Sequence, residues 1–296
     1  MVATKQKQES GISIVVPLYN EEGSVRESVE HILDIMQGME CPTELIVVDD
    51  GSTDGSAQQL DGLQKRLKLV SHIGNRGYGA ALKTGIQKAQ YPLVAITDAD
   101  GELPVEELPR LIAGMEKADM VVGARTGSQV YVPLIRRPAK WLLNLLANYL
   151  SDTHIPDLNS GFRVFRKDIV KRYFHILPNR FSFTSTITLA MIADGFTVHF
   201  QSVNCHRRTA GQSKVRPSDA VGFMILIMRT VTYFNPLRTF VPVFLALLAL
   251  AVGKLAYDVF WEHNITDTTT LLWLMSLQVL LIGVVADLVV RRDRHE

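Results

Sequence analysis

Cysteine is scarce in this chain: Cys41 and Cys205 are its only two among 296 residues. Two thiols build neither a disulfide framework nor a four-cysteine zinc site, so two reduced thiols in a cytosolic domain are expected. Net charge is nearly absent as well. Lys and Arg number 31 against 30 Asp and Glu, leaving +1, so the chain as a whole offers no field for nucleic acid. Charged residues make up 21% against 47% hydrophobic, which excludes global disorder. Neither GxxxxGK[ST] nor GxGxxG stands at a strand–helix junction, so no P-loop or dinucleotide fingerprint is present. The first ten residues, MVATKQKQES, are polar, and the apolar run that follows is broken by Pro17. That is not a signal-peptide pattern, and the first domain is expected to start in the cytosol.

Long apolar runs appear only at the far end. Residues 240–261 and 271–290 are almost wholly apolar. At about 1.5 Å rise per residue they reach about 33 and 30 Å, enough for a hydrocarbon core of about 30 Å. The polar NITDTTT stretch between them reads as a hairpin tip. Arg229 and Arg238 precede the first span and Arg291, Arg292 and Arg294 follow the second, whereas the tip carries Glu262, His263 and Asp267 without Lys or Arg. The positive-inside rule then puts both termini and the first domain in the cytoplasm of a multi-pass cell (inner) membrane protein. Lys254 and Asp258 are spaced to pair, and Asp287 lies one turn from Arg291. A buried hairpin of core helices is the soluble alternative. Residues 217–236 read as a helix in the interface plane, or alternatively as a buried helix of the soluble domain. The domain plan is therefore 1–216 catalytic, 217–236 interfacial and 237–296 transmembrane hairpin. Paired hairpins in a bilayer would suit a homo-oligomer.

The first 200 residues alternate short apolar runs with helical periods. Strands are expected at 12–17, 45–48, 67–70, 93–97 and 120–122, and helices at 25–39, 56–66, 78–90 and 104–117. This order implies an α/β domain with a mostly parallel sheet, helices on both faces, and ligands beyond the carboxyl ends of the strands. Three of those ends are acidic: PLYNEE, VVDDGSTDGS and TDADGE. Carboxylates crowded at one edge repel one another unless a cation sits among them. In TDADGE, Asp98, Asp100 and Glu102 alternate with small residues, so Asp100 and Glu102 can share one hard cation such as Mg²⁺ or Mn²⁺. The alternative for DDGS is a turn with Asx capping.

The motifs VVPLYNEE, VVDDGSTDGS, NRGYGAALKTGI, DADGELP and NSGFRVF, in this order, resemble the family 2 inverting glycosyltransferases of the GT-A fold. The closer resemblance is to the polyprenyl-phosphate glycosyltransferases, the dolichol-phosphate mannose synthase-like branch, and it extends through HRRTAGQSK to the hairpin. The resemblance implies a metal-dependent transfer of one sugar from a UDP- or GDP-linked donor to a polyprenyl (undecaprenyl or dolichyl) phosphate. It implies that Pro17, Tyr19, Glu21 and Asp49 hold the nucleoside, with Asp50 nearby. Asp98 would orient nucleotide and loop, while Asp100 and Glu102 would ligate the metal. Gln is usual where Glu102 stands here, and many members carry acidic residues where Thr184–Thr186 stand.

An acceptor phosphate oxygen is already nucleophilic near pH 7, so cationic positioning matters more than a strong base. Arg125, Arg137, Arg207, Arg208 and Lys214 are the candidates. Arg137 opens RRPAKWLLNLLANYL, whose Trp141, Leu142, Leu145, Leu146 and Tyr149 form a stripe that either rests on the bilayer or joins the core. The loop bearing Arg207, Arg208 and Lys214 could equally serve anionic headgroups. Asp157 is expected to orient the acceptor or act as base. Arg163 is either part of the site or one end of an internal salt bridge. His72, His154, His175, His199 and His206 show no metal-ligand spacing and receive no role. The rivals are a transferase acting on another lipid or on a growing glycan, and a non-catalytic sugar-nucleotide-binding membrane protein. No QxxRW motif of a processive synthase is present.

Overall fold

The computed structural model describes residues 11–126, 154–180, 182–204, 232 and 236–293. Strand β1 (Ile12–Leu18) sends alternate side chains to opposite faces, and both faces are covered. Ile12, Ile14, Val16 and Leu18 join one apolar cluster, and Val15 joins the other. Strand β2 (Thr43–Asp49) repeats the division, with Leu45 and Val47 on the first side and Ile46 and Val48 on the second. Runs apolar on both faces are what a sheet covered by helices on both sides requires. With β3 (Lys68–Ser71), β4 (Leu93–Ile96), β5 (Met120–Ala124), β6 (Arg163–Arg166) and β7 (Val198–Ser202) they form a seven-stranded sheet in the order β3-β2-β1-β4-β6-β5-β7.

Helix α1 (Val25–Gln37) packs Val25, Val29, Ile32 and Leu33, spaced three and four apart, onto the first cluster. Helix α2 (Tyr78–Lys88) covers the second with Ala81, Leu82 and Ile86. Helix α3 (Leu108–Gly114) returns to the first, while α4 (Lys167–Arg172) and α5 (Phe183–Ala193) complete the second.

Three elements depart from the expected pattern. The helix expected at 56–66 is a single 3₁₀ turn, Gln58–Leu60, because Gly62 at φ 86° carries the chain into the left-handed region. The helix expected at 104–117 shrinks to α3, preceded by a 3₁₀ turn at Val105–Glu107, with Pro109 in its first turn. Strand β6 runs antiparallel to both neighbours, β4 and β5, whereas the β1, β2, β3 and β4 pairings and the β5–β7 pairing are parallel. This reversal delivers the start of β6, and the residues just before it, to the edge where the parallel strands end.

The C-terminal segment forms two long helices, α6 (Pro236–Tyr257) and α7 (Asp267–Asp293), joined through a π-helical turn at Asp258–Glu262. The apolar stretches Pro236–Glu262 and Asp267–Val290 run 27 and 24 residues, about 40 and 36 Å, so each is long enough to span a bilayer. Leu245, Leu250, Leu274, Leu281 and Leu288 are all exposed, whereas core helices of a soluble protein would bury them. The expected Lys254–Asp258 pair forms. Asp258 is fully buried and also accepts hydrogen bonds from the Thr266 N–H (2.9 Å), the Thr266 hydroxyl (2.7 Å) and the Thr269 hydroxyl (2.5 Å), which ties the tip to the first turn of α7. The stretch read as an interfacial helix lies outside the described residues except Thr232 and Pro236, and the side chains of Arg291 and Arg292 lie outside them too.

Candidate active site

The loops after β1 and β2 are laced together. Asn20, at φ 51°, accepts the Thr53 N–H at 2.8 Å on Oδ1 and donates its own N–H to Ser52 Oγ at 3.1 Å. The Glu21 N–H donates to Ser56 Oγ at 2.8 Å, and the Asp50 N–H to the Leu18 carbonyl at 2.8 Å. Asp49 accepts the Ser52 N–H at 3.0 Å, the Asx-capped turn that DDGS allows. Gly51, at φ 71°, lies so close to the Gly74–Asn75 backbone that a Cβ would meet it at 2.6 Å, so a side chain there would displace the loop after β3.

Asp50 is almost wholly inside. Its Oδ1 accepts the Arg76 N–H at 3.0 Å and faces His72 Nδ1 at 2.6 Å, and its Oδ2 accepts the Gly77 N–H at 2.7 Å. Backbone donors therefore compensate the acidic end of β2. The expected crowding of all three acidic strand ends around one cation is narrower than the sequence implied.

Mutual repulsion among carboxylates is found at the end of β4. Burial, together with the neighbouring Asp100 and Glu102 charges, pushes Asp98 up to about 6, against the hydrogen bond from Tyr78 and the charge of Arg125. The Tyr78 hydroxyl donates to Asp98 Oδ1 at 3.0 Å. Burial and the Asp98 charge raise the Tyr78 phenol well above its ordinary value, so it remains a donor. Asp98 also rests on Gly161, where a Cβ would sit 2.6 Å from Oδ2. The Glu102 N–H donates to Asp100 Oδ1 at 3.1 Å, closing the turn that carries both carboxylates.

Beside this group stands a locked cation. Arg125, just past β5, donates Nε to Asp157 Oδ2 at 2.7 Å and Nη2 to Oδ1 at 3.1 Å, and its backbone N–H adds a third bond to Oδ2 at 3.1 Å. The Asn159 N–H also donates to Asp157, and the Ser185 hydroxyl on α5 donates to Asn159. Behind them Arg163 is fully buried. It donates to the Ser160 carbonyl, to the Thr184 carbonyl at 3.0 Å and to the Thr188 hydroxyl at 2.9 Å. Burial lowers it to about 10, with Tyr78, Asp157 and Asp98 working the other way. No salt bridge joins Arg163 to a carboxylate among the described residues, so the internal ion pair expected for it is replaced by hydrogen bonds to neutral acceptors.

Residues 13–174 match the family model described as glycosyl transferase family 2, and residues 235–291 match the GtrB C-terminal hairpin. The chain belongs to glycosyl transferase family 2. Among curated relatives of this transferase is the undecaprenyl-phosphate 4-deoxy-4-formamido-L-arabinose transferase of Pseudomonas fluorescens (strain Pf0-1). It is 31% identical over 247 residues, covering 81% of this chain and 70% of the relative. The dodecaprenyl-phosphate galacturonate synthase of Rhizobium johnstonii is 27% identical over 300 residues, 95% and 88% of the two chains. Among solved structures, the glucosyl-3-phosphoglycerate synthase of Mycobacterium tuberculosis in complex with Mn²⁺, UDP and phosphoglyceric acid superposes with a TM-score of 0.58. That match is at 19% identity and covers 77% of this chain and 79% of the other, so the fold is shared.

The transferase brings Asp98, Asp100, Glu102, Arg125 and Asp157 to one sheet edge. Pro17 lies in β1 beside Val48 of β2, and Tyr19 and Glu21 follow half-buried in the laced loop. Arg137, Arg207, Arg208 and Lys214 lie outside the described residues. The five histidines given no role include His72, which the fold buries against Asp50; only its partner 22 residues away reveals it. Among the described residues no three His, Cys, Asp or Glu side chains gather as a metal cage. The donor set nevertheless fits a hard dication. Asp100 and Glu102 would supply oxygen ligands, their charges raise Asp98, and Mg²⁺ or Mn²⁺ commonly completes its shell with phosphate oxygens and water.

Proposed function

We propose that this membrane-anchored transferase moves one sugar from a UDP-linked donor onto the phosphate of a polyprenyl lipid, with inversion at the anomeric carbon. The two relatives named above act, by their names, on undecaprenyl- and dodecaprenyl-phosphate, and the glucosyl-3-phosphoglycerate synthase structure holds Mn²⁺ and UDP. The observation that carries the reading is the Arg125 guanidinium, locked by a buried Asp157 beside the acidic β4 end, in a chain that ends in two apolar helices.

Pro17, Tyr19, Glu21 and Asp49 line the nucleoside side of the cleft, and Asp50 shapes the loop behind it. Tyr78 and Gly161 fix Asp98. Asp100 and Glu102 hold the divalent ion, which when bound offsets the negative charge of the departing diphosphate. Arg125 receives the acceptor phosphate, whose oxygen attacks from the face opposite the diphosphate. Both oxygens of Asp157 are engaged by Arg125, so Asp157 acts as the anchor of the cation rather than as a base. Arg137, Arg207, Arg208 and Lys214 extend the positive surface toward phosphate or headgroup. The distribution of Arg around the spans supports a catalytic domain on the cytoplasmic face.

Purified full-length protein in detergent with radiolabelled UDP-sugars, undecaprenyl phosphate and Mn²⁺ should yield a labelled lipid. Undecaprenol or diacylglycerol in place of the phosphate should yield none. Equal labelling of diacylglycerol would contradict the acceptor.

A further inference from the structure

His72 follows β3 directly and faces inward: its side chain is 5% exposed and that of Asp50 is 3% exposed. Its Nδ1 lies 2.6 Å from Asp50 Oδ1 and its Nε2 lies 3.0 Å from the Thr84 hydroxyl on α2. The Asp50 carboxylate already accepts the Arg76 and Gly77 amides, at 3.0 and 2.7 Å, so the ring nitrogen facing it is a third donor. Those amides form the turn that launches α2, and Gly77 takes φ 102° there. The next residue is Tyr78, whose hydroxyl holds Asp98 at 3.0 Å. One chain of hydrogen bonds and one short turn thus run from Thr84 through His72, Asp50 and the Arg76–Gly77 amides to Asp98.

We propose that His72 is a positioning residue for the donor site. By donating Nδ1–H to Asp50 it holds the Arg76–Gly77 turn, and through Tyr78 it holds Asp98 in register with Asp100 and Glu102. The proposal rests on the reading of the β4 end as the metal–diphosphate site. Without the ring, the carboxylate keeps its two amide donors but loses the contact that fixes its rotation. A buried group left short of a partner loosens what it carries. Partners that touch a metal ligand typically change affinity by about tenfold or more, and His72 acts on that scale only through the intervening turn, Tyr78 and Asp98.

The test compares His72→Gln with His72→Asn in the full-length protein in detergent. An Asn amide can take the place of Nδ1, whereas a Gln amide reaches toward the place of Nε2. Two quantities are read that need no transfer activity: hydrogen exchange over residues 74–78, and affinity for UDP with Mn²⁺ by titration calorimetry. H72Q should speed exchange and weaken Mn²⁺–UDP binding, each about tenfold, and H72N should restore both toward wild type. Thr84→Val, which keeps the ring and removes the hydroxyl that orients it, should shift both in the same direction by a smaller factor. In a Tyr78→Phe background H72Q should weaken binding by less than about twofold, because the route to Asp98 is already cut. Wild-type exchange in H72Q and T84V, failure of H72N to rescue, or additive losses with Y78F would overturn the proposal. Absence of a lipid product from the wild type would overturn the function above and leave the exchange and binding comparison to decide on His72.

Discussion

Arg125 and Asp157 meet in a two-point ion pair in which the carboxylate is 2% exposed and the guanidinium 34% exposed. The anion is thus buried, and the cation is the partly exposed partner. Such a fork is specific to arginine, since lysine offers a point charge without the planar pair of donors. Arg125→Lys should therefore lower kcat/KM for the lipid acceptor by about 10²-fold, while Mn²⁺–UDP affinity stays within about twofold. Asp157→Asn should give a similar loss, and the double variant should be little worse than either single one. A kinetic double-mutant cycle checks this, and full additivity would assign the two residues separate tasks.

Asp98 is held from two sides. Gly161→Ala would put a methyl group 2.6 Å from Asp98 Oδ2, so the carboxylate must move. Mn²⁺–UDP binding should weaken by about tenfold or more, with a modest loss of melting temperature. Tyr78→Phe removes one hydrogen bond to a charged acceptor and should weaken binding by about tenfold. Calorimetric titration of both variants measures the effect directly.

The pH dependence follows from Asp98. Its carboxyl stands at about 6 in the fold, above the ordinary value of about 3.9. The folded state therefore holds this proton more tightly than the unfolded chain. The associated stability is fully present below about pH 4 and is lost as pH rises through about 6. Bound Mn²⁺ with UDP would favour the ionised form and give back stability where Asp98 is charged. Thermal unfolding should show a larger upward shift on adding Mn²⁺ and UDP at pH 7.5 than at pH 5. A shift independent of pH would remove Asp98 from the binding event.

At the hairpin tip, Asp258→Ala would strand Lys254 and the Thr266 and Thr269 hydroxyls. Removing one partner leaves the other's charge without its counter-ion, whereas replacing both by apolar residues is often neutral. The single variant should lose detergent-solubilised monodispersity on heating earlier than wild type, and Lys254→Met with Asp258→Leu should recover most of the loss.

Local features were legible in the sequence. The unbroken apolar run Ile14, Val15 and Val16 fits a strand buried on both faces, the Lys254–Asp258 spacing fits its pair, and DDGS allows its turn. What depended on distant partners was not. Asp157 and Arg125 are 32 residues apart, and nothing in the sequence joins them, although they are one unit in the fold. A lone histidine has no spacing to read, and only the fold sets His72 against Asp50 and Thr84. The four-residue RVFR run of β6 carries no alternation long enough to show direction. The antiparallel course of β6, which brings Asp157 to the cleft, emerged only in the sheet. The helix expected at 56–66 failed on one glycine, Gly62, whose left-handed backbone outweighs its helix-forming neighbours.

The central claim concerns one place: a divalent ion that Asp100 and Glu102 would hold against the donor diphosphate at the end of β4, apart from the acceptor phosphate at Arg125. Anomalous scattering from crystals of the full chain grown with Mn²⁺ and UDP locates that ion directly. The account predicts one peak about 2.1 Å from carboxylate oxygens of Asp100 and Glu102 and from the UDP phosphates. UDP bound with no metal at these carboxylates, or Mn²⁺ coordinated away from them, would contradict it.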